Sequence, residues 1–246
     1  MPTAALIVAA GRGTRAGGST PKQWQPLCGK RVIDHTLAAF QDHPSAERLI
    51  VVLNEADMAH AQELTDKGCI IATGGVDRAA SVRNGLAALG DADQVLIHDA
   101  ARPCVSAEVI DHVIAALQSG PAAAPGIAVT DALWVAENGT VAGIQDRTAL
   151  YAAQTPQGYD VAAIRAAHAR YDGVAADDVE GEGRAAVRSG GDLQVAAVKP
   201  QELLADPQAQ PAPAVAGADL LAPLREVVED VVELVLGDPD ARVADD

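Results

Sequence analysis

The chain has 246 residues, and its formal net charge of −16 argues against nucleic acid and anionic membrane as partners. Hydrophobic residues make up 49% of the sequence but aromatic residues only 2%, so we expect a core of Val, Leu, Ile and Ala. No apolar run approaches the ~20 residues that would cross a bilayer. The N-terminus lacks the pattern of a signal peptide, and the three cysteines show no metal-ligand spacing. We therefore expect a cytoplasmic protein.

The first predicted element is a buried strand over residues 4–10, which ends in a long glycine-rich turn. Gly11 and Gly13 open this turn, and Arg15 and Lys22 follow them. Glycines let the backbone bend tightly and direct its N–H groups at a phosphate, while the two cations can neutralise the phosphate charge. The segment therefore predicts a phosphate-binding loop.

Two common phosphate-binding patterns do not describe this turn. A P-loop ends in Gly-Lys followed by Ser or Thr, whereas Gly29-Lys30 is followed by Arg31. The glycines fit the spacing of a dinucleotide-binding fingerprint, but Pro21 follows too closely for the helix that this fingerprint requires. A long loop with two cations favours a nucleoside triphosphate.

Strand-like and helix-like segments then alternate through the first half of the chain. This order predicts an α/β fold with a Rossmann-like, mostly parallel sheet and helices on both faces. Ligands of such sheets bind at the carboxyl ends of the strands. The glycine-rich turn and His98-Asp99 both sit at strand ends, which predicts one shared site. The predicted strands are 4–10, 49–53, 69–72 and 94–98, and the predicted helices are 32–40, 55–64, 78–89 and 107–117.

The second half of the chain predicts a protruding β-hairpin arm over about residues 127–147. The pattern of residues 127–136 predicts a strand, and residues 141–145 predict its return. Asn138-Gly139 between them is a strong signal for a two-residue hairpin turn.

The chain is predicted to hold one domain and an extension. Residues 1–206 form the predicted domain that includes the arm, and residues 207–217, rich in Pro, Ala and Gln, predict a linker. Residues 218–246 are acidic and predict an amphipathic helix. This extension either docks on the domain or mediates self-association.

Four short blocks, in this order and spacing, resemble the 2-C-methyl-D-erythritol 4-phosphate cytidylyltransferase family of isoprenoid precursor synthesis. The resemblance covers roughly residues 3–206. The blocks are Ala9-Ala10-Gly11-x-Gly13-x-Arg15 with Pro21-Lys22-Gln23, then Gly74-Gly75-x-x-Arg78-x-x-Ser81-Val82, then His98-Asp99-Ala100-Ala101-Arg102-Pro103, then Asp146-Arg147 with Thr155-Pro156-Gln157.

The resemblance implies a nucleotidyltransferase that moves CMP from CTP to 2-C-methyl-D-erythritol 4-phosphate and releases pyrophosphate. It also implies Mg²⁺ as cofactor and a homodimer in which each arm reaches the partner subunit. CTP and a polyol phosphate are then the expected small-molecule partners.

The resemblance also assigns roles to single residues. Arg15 and Lys22 would stabilise the transition state around the triphosphate, and Arg147 would hold the acceptor from the partner's arm. Asp99 is expected to face Mg²⁺ or its waters, because Mg²⁺ binds few carboxylates and mostly substrate phosphates. The expected substrate-binding residues are Ala9, Ala10, Gly11, Gly13, Gly75, Ser81, Asp99, Arg102, Thr130 and Thr155.

Two departures from the family pattern concern the acceptor site. The family places a Thr beside the aspartate of the arm, where this chain has Asp131-Ala132, and Thr130 on the same strand face could substitute. The family also has a lysine at the position of Ala196. Lys199 lies three residues later, which in a strand is the opposite face. A cation that positions the acceptor phosphate is therefore predicted to be missing.

Alternative functions follow from that missing cation. One is a cytidylyltransferase for another polyol phosphate, such as ribitol 5-phosphate. Another is a non-catalytic homologue that binds a nucleotide and uses its acidic extension for interaction.

Overall fold

The computed structural model describes residues 1–12, 20–170 and 195–198, and eight strands among them form one mixed sheet. The strands are β1 (Thr3–Ala9), β2 (Pro26–Leu27), β3 (Lys30–Arg31), β4 (Ala46–Leu53), β5 (Ile70–Thr73), β6 (Gln94–Asp99), β7 (Ala122–Ala128), β8 (Leu133–Glu137), β9 (Thr140–Gln145), β10 (Tyr151–Ala153), β11 (Gln157–Asp160) and β12 (Val195–Val198). The α-helices are α1 (Val32–Gln41), α2 (Ala61–Asp66), α3 (Arg78–Ala87), α4 (Ala107–Ala116) and α5 (Val161–Arg170), with 3₁₀ helices at Lys22–Trp24 and Glu55–His60.

The sheet has a parallel half and a mixed half. Its strand order is β10-β7-β11-β6-β1-β4-β5, and β12 also pairs with β7. β1 runs parallel to β4 and β6, and β4 runs parallel to β5. β11 runs antiparallel to both β6 and β7. The predicted α/β fold with a mostly parallel sheet is therefore confirmed.

β1 lies inside the sheet, between β4 and β6, and all of its residues are buried. Its side chains alternate between the two faces. Ile7 belongs to an apolar cluster that includes Phe40 of α1, whereas Leu6 belongs to a second cluster that includes Val82 of α3. Because helices cover both faces, β1 must be apolar throughout, which explains its unbroken apolar sequence.

The predicted arm is present as a hairpin of β8 and β9. Asn138 and Gly139 both have positive φ, at 49° and 80°, as a type I′ turn requires. The single strand predicted over 127–136 is wrong, because it divides into β7 and β8. Residues 129–132 separate them, since β7 belongs to the main sheet whereas β8, within the described part of the chain, pairs only with β9.

The boundaries of other elements differ from the predicted ones by smaller amounts. The helix predicted over 55–64 begins instead as the 3₁₀ helix Glu55–His60 and continues as α2.

No helix among the described residues is long and apolar enough to cross a membrane. The predicted linker and acidic extension lie outside the described residues.

Candidate active site

The site begins where β1 and β6 end side by side. Val8 of β1 pairs with Asp99 of β6 in the parallel register. Beyond this pair, the N–H of Ala100 donates to the carbonyl oxygen of Val8 at 3.0 Å. The first residues of the glycine-rich turn and the carboxylate of Asp99 therefore leave the sheet at neighbouring points of its carboxyl edge.

A third loop, between β5 and α3, reaches the same edge. The N–H of Gly74 donates to the carbonyl oxygen of Leu53 at 2.7 Å. A Cβ atom at Gly74 would lie 2.6 Å from the Cβ of Ala10, so only glycine allows this close approach to the end of β1. The loop after β5 therefore lies directly against the start of the glycine-rich turn.

Ser81 fixes the shape of this third loop from the first turn of α3. The Ser81 hydroxyl donates to the carbonyl oxygen of Asp77 at 2.8 Å and accepts from the N–H of Gly75 at 3.0 Å. A Cβ atom at Gly75 would lie 2.3 Å from the Cβ of Ala80. Ser81 is buried, so its hydroxyl holds the backbone of Gly75 close to the helix.

Asp99 lies between two guanidinium groups. Arg78, at the start of α3, places its Nη1 2.8 Å from one carboxylate oxygen, and Arg102 places its Nε 3.0 Å from the other. Arg102 also donates from Nη1 to the side-chain oxygen of Gln154 at 2.7 Å. The three charged side chains together leave an excess of positive charge at the carboxyl edge, which suits an anionic ligand.

His98 precedes this carboxylate but lies in the core. Its Nε2 is 3.0 Å from the carbonyl oxygen of Arg102, and the centroid of its ring lies 5.1 Å from that of the Phe40 ring. Burial lowers the pKa of His98 to about 4. The neutral imidazole therefore supports the loop that follows Asp99 and carries Arg102.

Lys22 stands at the start of the 3₁₀ helix Lys22–Trp24, whose position is fixed by Trp24. The Trp24 ring stacks on His60 at 4.1 Å between centroids, and the guanidinium of Arg31 lies 5.4 Å from the Trp24 ring. Nearby, Arg12 forms an ion pair with Asp57 at 3.2 Å. Lys22 is thus held on a supported segment, while the charge of Arg12 is balanced.

Comparison with known proteins shows the family of the chain. The family model of 2-C-methyl-D-erythritol 4-phosphate cytidylyltransferase (IspD) matches residues 3–203. The chain belongs to this family. The sequence-based recognition is therefore confirmed.

Individual relatives agree with this placement. The chain is 54% identical over 185 residues to the enzyme of that name from Cereibacter sphaeroides, covering 73% of this chain and 82% of the relative. It is 56% identical over 184 residues to a bifunctional enzyme IspD/IspF from a Ruegeria species, again over 73% of this chain. The chain spans about half of that relative, 48% of its length.

Solved structures give the same fold. The crystal structure of 2-C-methyl-D-erythritol 4-phosphate cytidylyltransferase from Thermus thermophilus matches with a TM-score of 0.66 and 32% identity. The match covers 83% of this chain and 96% of that chain. The mixed sheet with its arm is therefore the fold of the cytidylyltransferase family.

The predicted acceptor residues of the family pattern lie in the mixed half of the fold. Arg147 and Thr130 are both exposed at the base of the arm, and the Arg147 guanidinium donates to the Thr130 carbonyl oxygen. Thr155 is buried, and its hydroxyl has no hydrogen-bond partner among the described residues. Thr155 also follows Gln154, which contacts Arg102.

Some predicted residues cannot be placed. Gly13 and Arg15 in the glycine-rich turn and Lys199 after β12 lie outside the described residues. Ala196 falls within β12, where it pairs with Ala123 of β7 in parallel register. The family comparison assumed that Ala196 lies in a strand, and β12 agrees with that assumption.

Sequence reasoning assigned no role to several residues that shape the site. Arg78 and Gln23 stand inside the recognised blocks, and Gln154 stands beside one, but their contacts with Asp99, β1 and Arg102 come from the fold. Asn54 lies outside every block, yet its side chain donates to the carbonyl oxygen of Ala10 at 3.1 Å. A polar residue directly after a buried strand was the one signal available for Asn54.

Proposed function

We propose that this protein transfers CMP from CTP to 2-C-methyl-D-erythritol 4-phosphate and releases pyrophosphate. The observation that carries the proposal is the convergence of three family blocks at one edge of the sheet. The ends of β1 and β6 pair there, and Gly74 contacts the end of β1. The identity of 54% to a cytidylyltransferase relative of similar length supports the same activity.

The proposed reaction is a displacement at phosphorus between two anions. A phosphate oxygen of the acceptor forms a new bond to the α-phosphorus of CTP. The bond from that phosphorus to the bridging oxygen breaks, and pyrophosphate leaves with the electron pair. Such a reaction needs positioning and charge neutralisation more than proton transfer.

The side chains of the site fit this demand. Lys22, on its supported 3₁₀ turn, is the proposed cation for the triphosphate, together with Arg15 of the same loop. Asp99 holds Arg78 and Arg102 in fixed directions through ion pairs of 2.8 and 3.0 Å. Preorganised cations of this kind stabilise transition-state charge without reorganisation during the reaction.

The described residues do not fit a metal site held by the protein alone. Both oxygens of Asp99 lie against guanidinium groups. No group of three His, Cys, Asp or Glu side chains among the described residues could hold an ion. We therefore propose that Mg²⁺ enters with CTP, bound by its phosphates, as Mg²⁺ commonly is. A contact of Asp99 with the waters of that ion stays a prediction.

The arm supports a proposed homodimer. Trp134 of β8 faces Ile144 of β9 across the hairpin, and these side chains are 67% and 78% exposed. Apolar side chains grouped on an exposed face are typical of an interaction site. In the proposed homodimer, the arm reaches the partner subunit, where Arg147 and Thr130 help to bind the acceptor.

We also propose a cytoplasmic location. Cys69 and Cys104 form no disulfide, which agrees with a reducing compartment.

One departure from the family pattern points to a second acceptor, since Ala196 stands where the family has a lysine. Ribitol 5-phosphate is therefore the alternative acceptor to test.

The experiment is an assay of pyrophosphate release from CTP and Mg²⁺ with either acceptor or with none. The proposal expects release with methylerythritol phosphate and a CDP-methylerythritol product by mass spectrometry. Release only with ribitol 5-phosphate would replace the acceptor. CTP binding without release on either acceptor would favour the non-catalytic homologue.

A further inference from the structure

Three consecutive carbonyl oxygens at the end of β1 are each held by a side-chain amide. The Nε2 of Gln23 donates to the carbonyl oxygen of Ala9 at 2.8 Å and to that of Gly11 at 3.0 Å. The Nδ2 of Asn54 donates to the carbonyl oxygen of Ala10 at 3.1 Å. We call Gln23 and Asn54 together the amide clamp.

The clamp residues are themselves fixed. Gln23 is only 4% exposed, and both hydrogens of its amide are used on the two carbonyl oxygens. The Oδ1 of Asn54 accepts from the N–H of Ala56 at 3.0 Å, which anchors Asn54 at the start of the following 3₁₀ helix. The clamp therefore has defined side-chain positions before any ligand binds.

The clamp determines where the backbone N–H groups point. A peptide group is planar and trans, so the N–H of one residue points opposite to the carbonyl of the residue before it. The N–H groups of Ala10 and Arg12 therefore point away from Gln23, and the N–H of Gly11 points away from Asn54. A glycine-rich segment without such restraints would adopt many other conformations.

We propose that Gln23 and Asn54 are positioning residues that direct the backbone N–H groups of residues 10–12 at the bound nucleotide. This inference rests on the proposed function, since CTP is the nucleotide there. Gln23 also follows Lys22 directly, so the same two hydrogen bonds tie that cation to the end of β1. Donors fixed in advance bind an anion without the cost of ordering them.

The first test replaces Gln23 by methionine, which keeps an unbranched side chain but removes both donors. CTP affinity by calorimetry should fall by about ten-fold or more, since two hydrogen bonds that order the donors are lost. Amide hydrogen exchange in residues 9–12 of the free protein should become faster. Gln41→Met is the matched control, because Gln41 donates to the carbonyl oxygen of Lys67 at 2.7 Å on another surface. It should change neither quantity.

A second variant gives a pH signature. Gln23→Glu has no donor when the carboxylate is ionised and one O–H donor when it is protonated. Its CTP affinity relative to the wild-type protein should therefore rise as the pH is lowered from about 8 to about 6, since facing carbonyl oxygens disfavour the ionised form. A ratio that does not depend on pH contradicts the clamp.

The Asn54→Asp variant tests the amide clamp even if the variants of the buried Gln23 do not fold. It retains the acceptor for Ala56 but loses the donor to Ala10, and Asn54 is half-buried. We expect weaker CTP binding, by about three-fold or more, at an unchanged unfolding midpoint. Unchanged CTP affinity and unchanged exchange in both Gln23→Met and Asn54→Asp would overturn the inference. If wild-type protein binds CTP but transfers no CMP, the proposed function fails, while binding and exchange still test the clamp.

Discussion

Single side chains at the carboxyl edge divide into groups that carry charge and groups that hold them. Lys22 and Arg102 are cations near the proposed triphosphate site. Asp99 orients Arg102, and Gln154 contacts the same guanidinium at 2.7 Å. The chemistry of the site therefore depends on polar residues that do not react.

Replacing Lys22 by alanine should lower turnover by at least ~100-fold, because one preorganised cation is lost from the transition state. CTP affinity should fall much less, which a comparison of kcat with the CTP dissociation constant will show. Lys30→Ala is the control, since Lys30 is exposed and lines a separate surface groove with Asp34 and Gln41. Turnover near the wild-type level in Lys22→Ala would contradict the assignment of the glycine-rich loop.

Introducing a lysine at position 196 tests the departure from the family pattern. One charged hydrogen bond to a phosphate contributes about 1.5–3 kcal/mol, so Ala196→Lys should raise kcat/KM for methylerythritol phosphate by about ten-fold or more. The KM for CTP should stay the same. Lys199→Ala is expected to change little. Loss of activity in Lys199→Ala, with no gain in Ala196→Lys, would identify Lys199 as the acceptor-site cation.

At the scale of elements, the site depends on where strands stop. β1, β5 and β6 run parallel, so their following loops meet at one edge. The arm differs from these loops, because among the described strands β8 and β9 pair only with each other, and they expose apolar side chains. A hairpin of two strands is at best marginally stable alone, which favours its packing on a second copy.

Replacing Trp134 by aspartate should dissociate the proposed homodimer, since a charge on the apolar face of the arm opposes burial. Sedimentation velocity measures the change in mass. Turnover should fall with dissociation if Arg147 acts on the partner's acceptor. A dimer of wild-type affinity in Trp134→Asp would show that the arm does not form the interface.

The proposed sharing of a site between two subunits has a complementation test of its own. Lys22→Ala and Arg147→Ala chains should each be nearly inactive as pure dimers. Their mixture should recover about a quarter of wild-type turnover, because half of the dimers are hybrids with one intact site each. No recovery after confirmed subunit exchange would place Lys22 and Arg147 of one chain in the same site.

At the scale of the whole molecule, two buried histidines couple folding to pH. Burial lowers the pKa of His98 to about 4, and burial and Arg83 lower that of His168 to about 4. Between about pH 4 and their ordinary value of about 6.5, the unfolded chain binds these protons and the folded chain does not. Each histidine therefore lowers the free energy of unfolding as the pH falls, by about 1 kcal/mol per pH unit in this window.

Replacing His168 by leucine should reduce that dependence on pH. Neither nitrogen of His168 has a hydrogen-bond partner among the described residues, so leucine sacrifices no such contact there. Urea unfolding followed by circular dichroism between pH 4.5 and 6.5 should show a slope that is smaller by about 1 kcal/mol per pH unit. The wild-type slope in the variant would mean that His168 is accessible to protons in the folded protein.

The sequence by itself determined the family and most of the elements in the first 145 residues. An apolar run before a glycine-rich turn, alternating strands and helices, and Asn138-Gly139 are local patterns, and local patterns reflect backbone preference and burial. The family blocks were recognisable because their chemistry needs particular residues at short spacings. The carboxyl-edge location of Asp99 followed from strand direction alone.

Only the tertiary structure decided which residues hold the site together. Gln23 contacts Ala9 and Gly11, and Asn54 contacts Ala10, across 12 to 44 positions of sequence. The ion pair of Arg78 with Asp99 likewise joins the start of α3 to the end of β6. Such contacts depend on how β1, β4 and β6 are paired, and the spacing of residues along the chain does not encode that pairing. The break between β7 and β8 was missed for the same reason, because a change of pairing partner leaves no mark on strand-like composition.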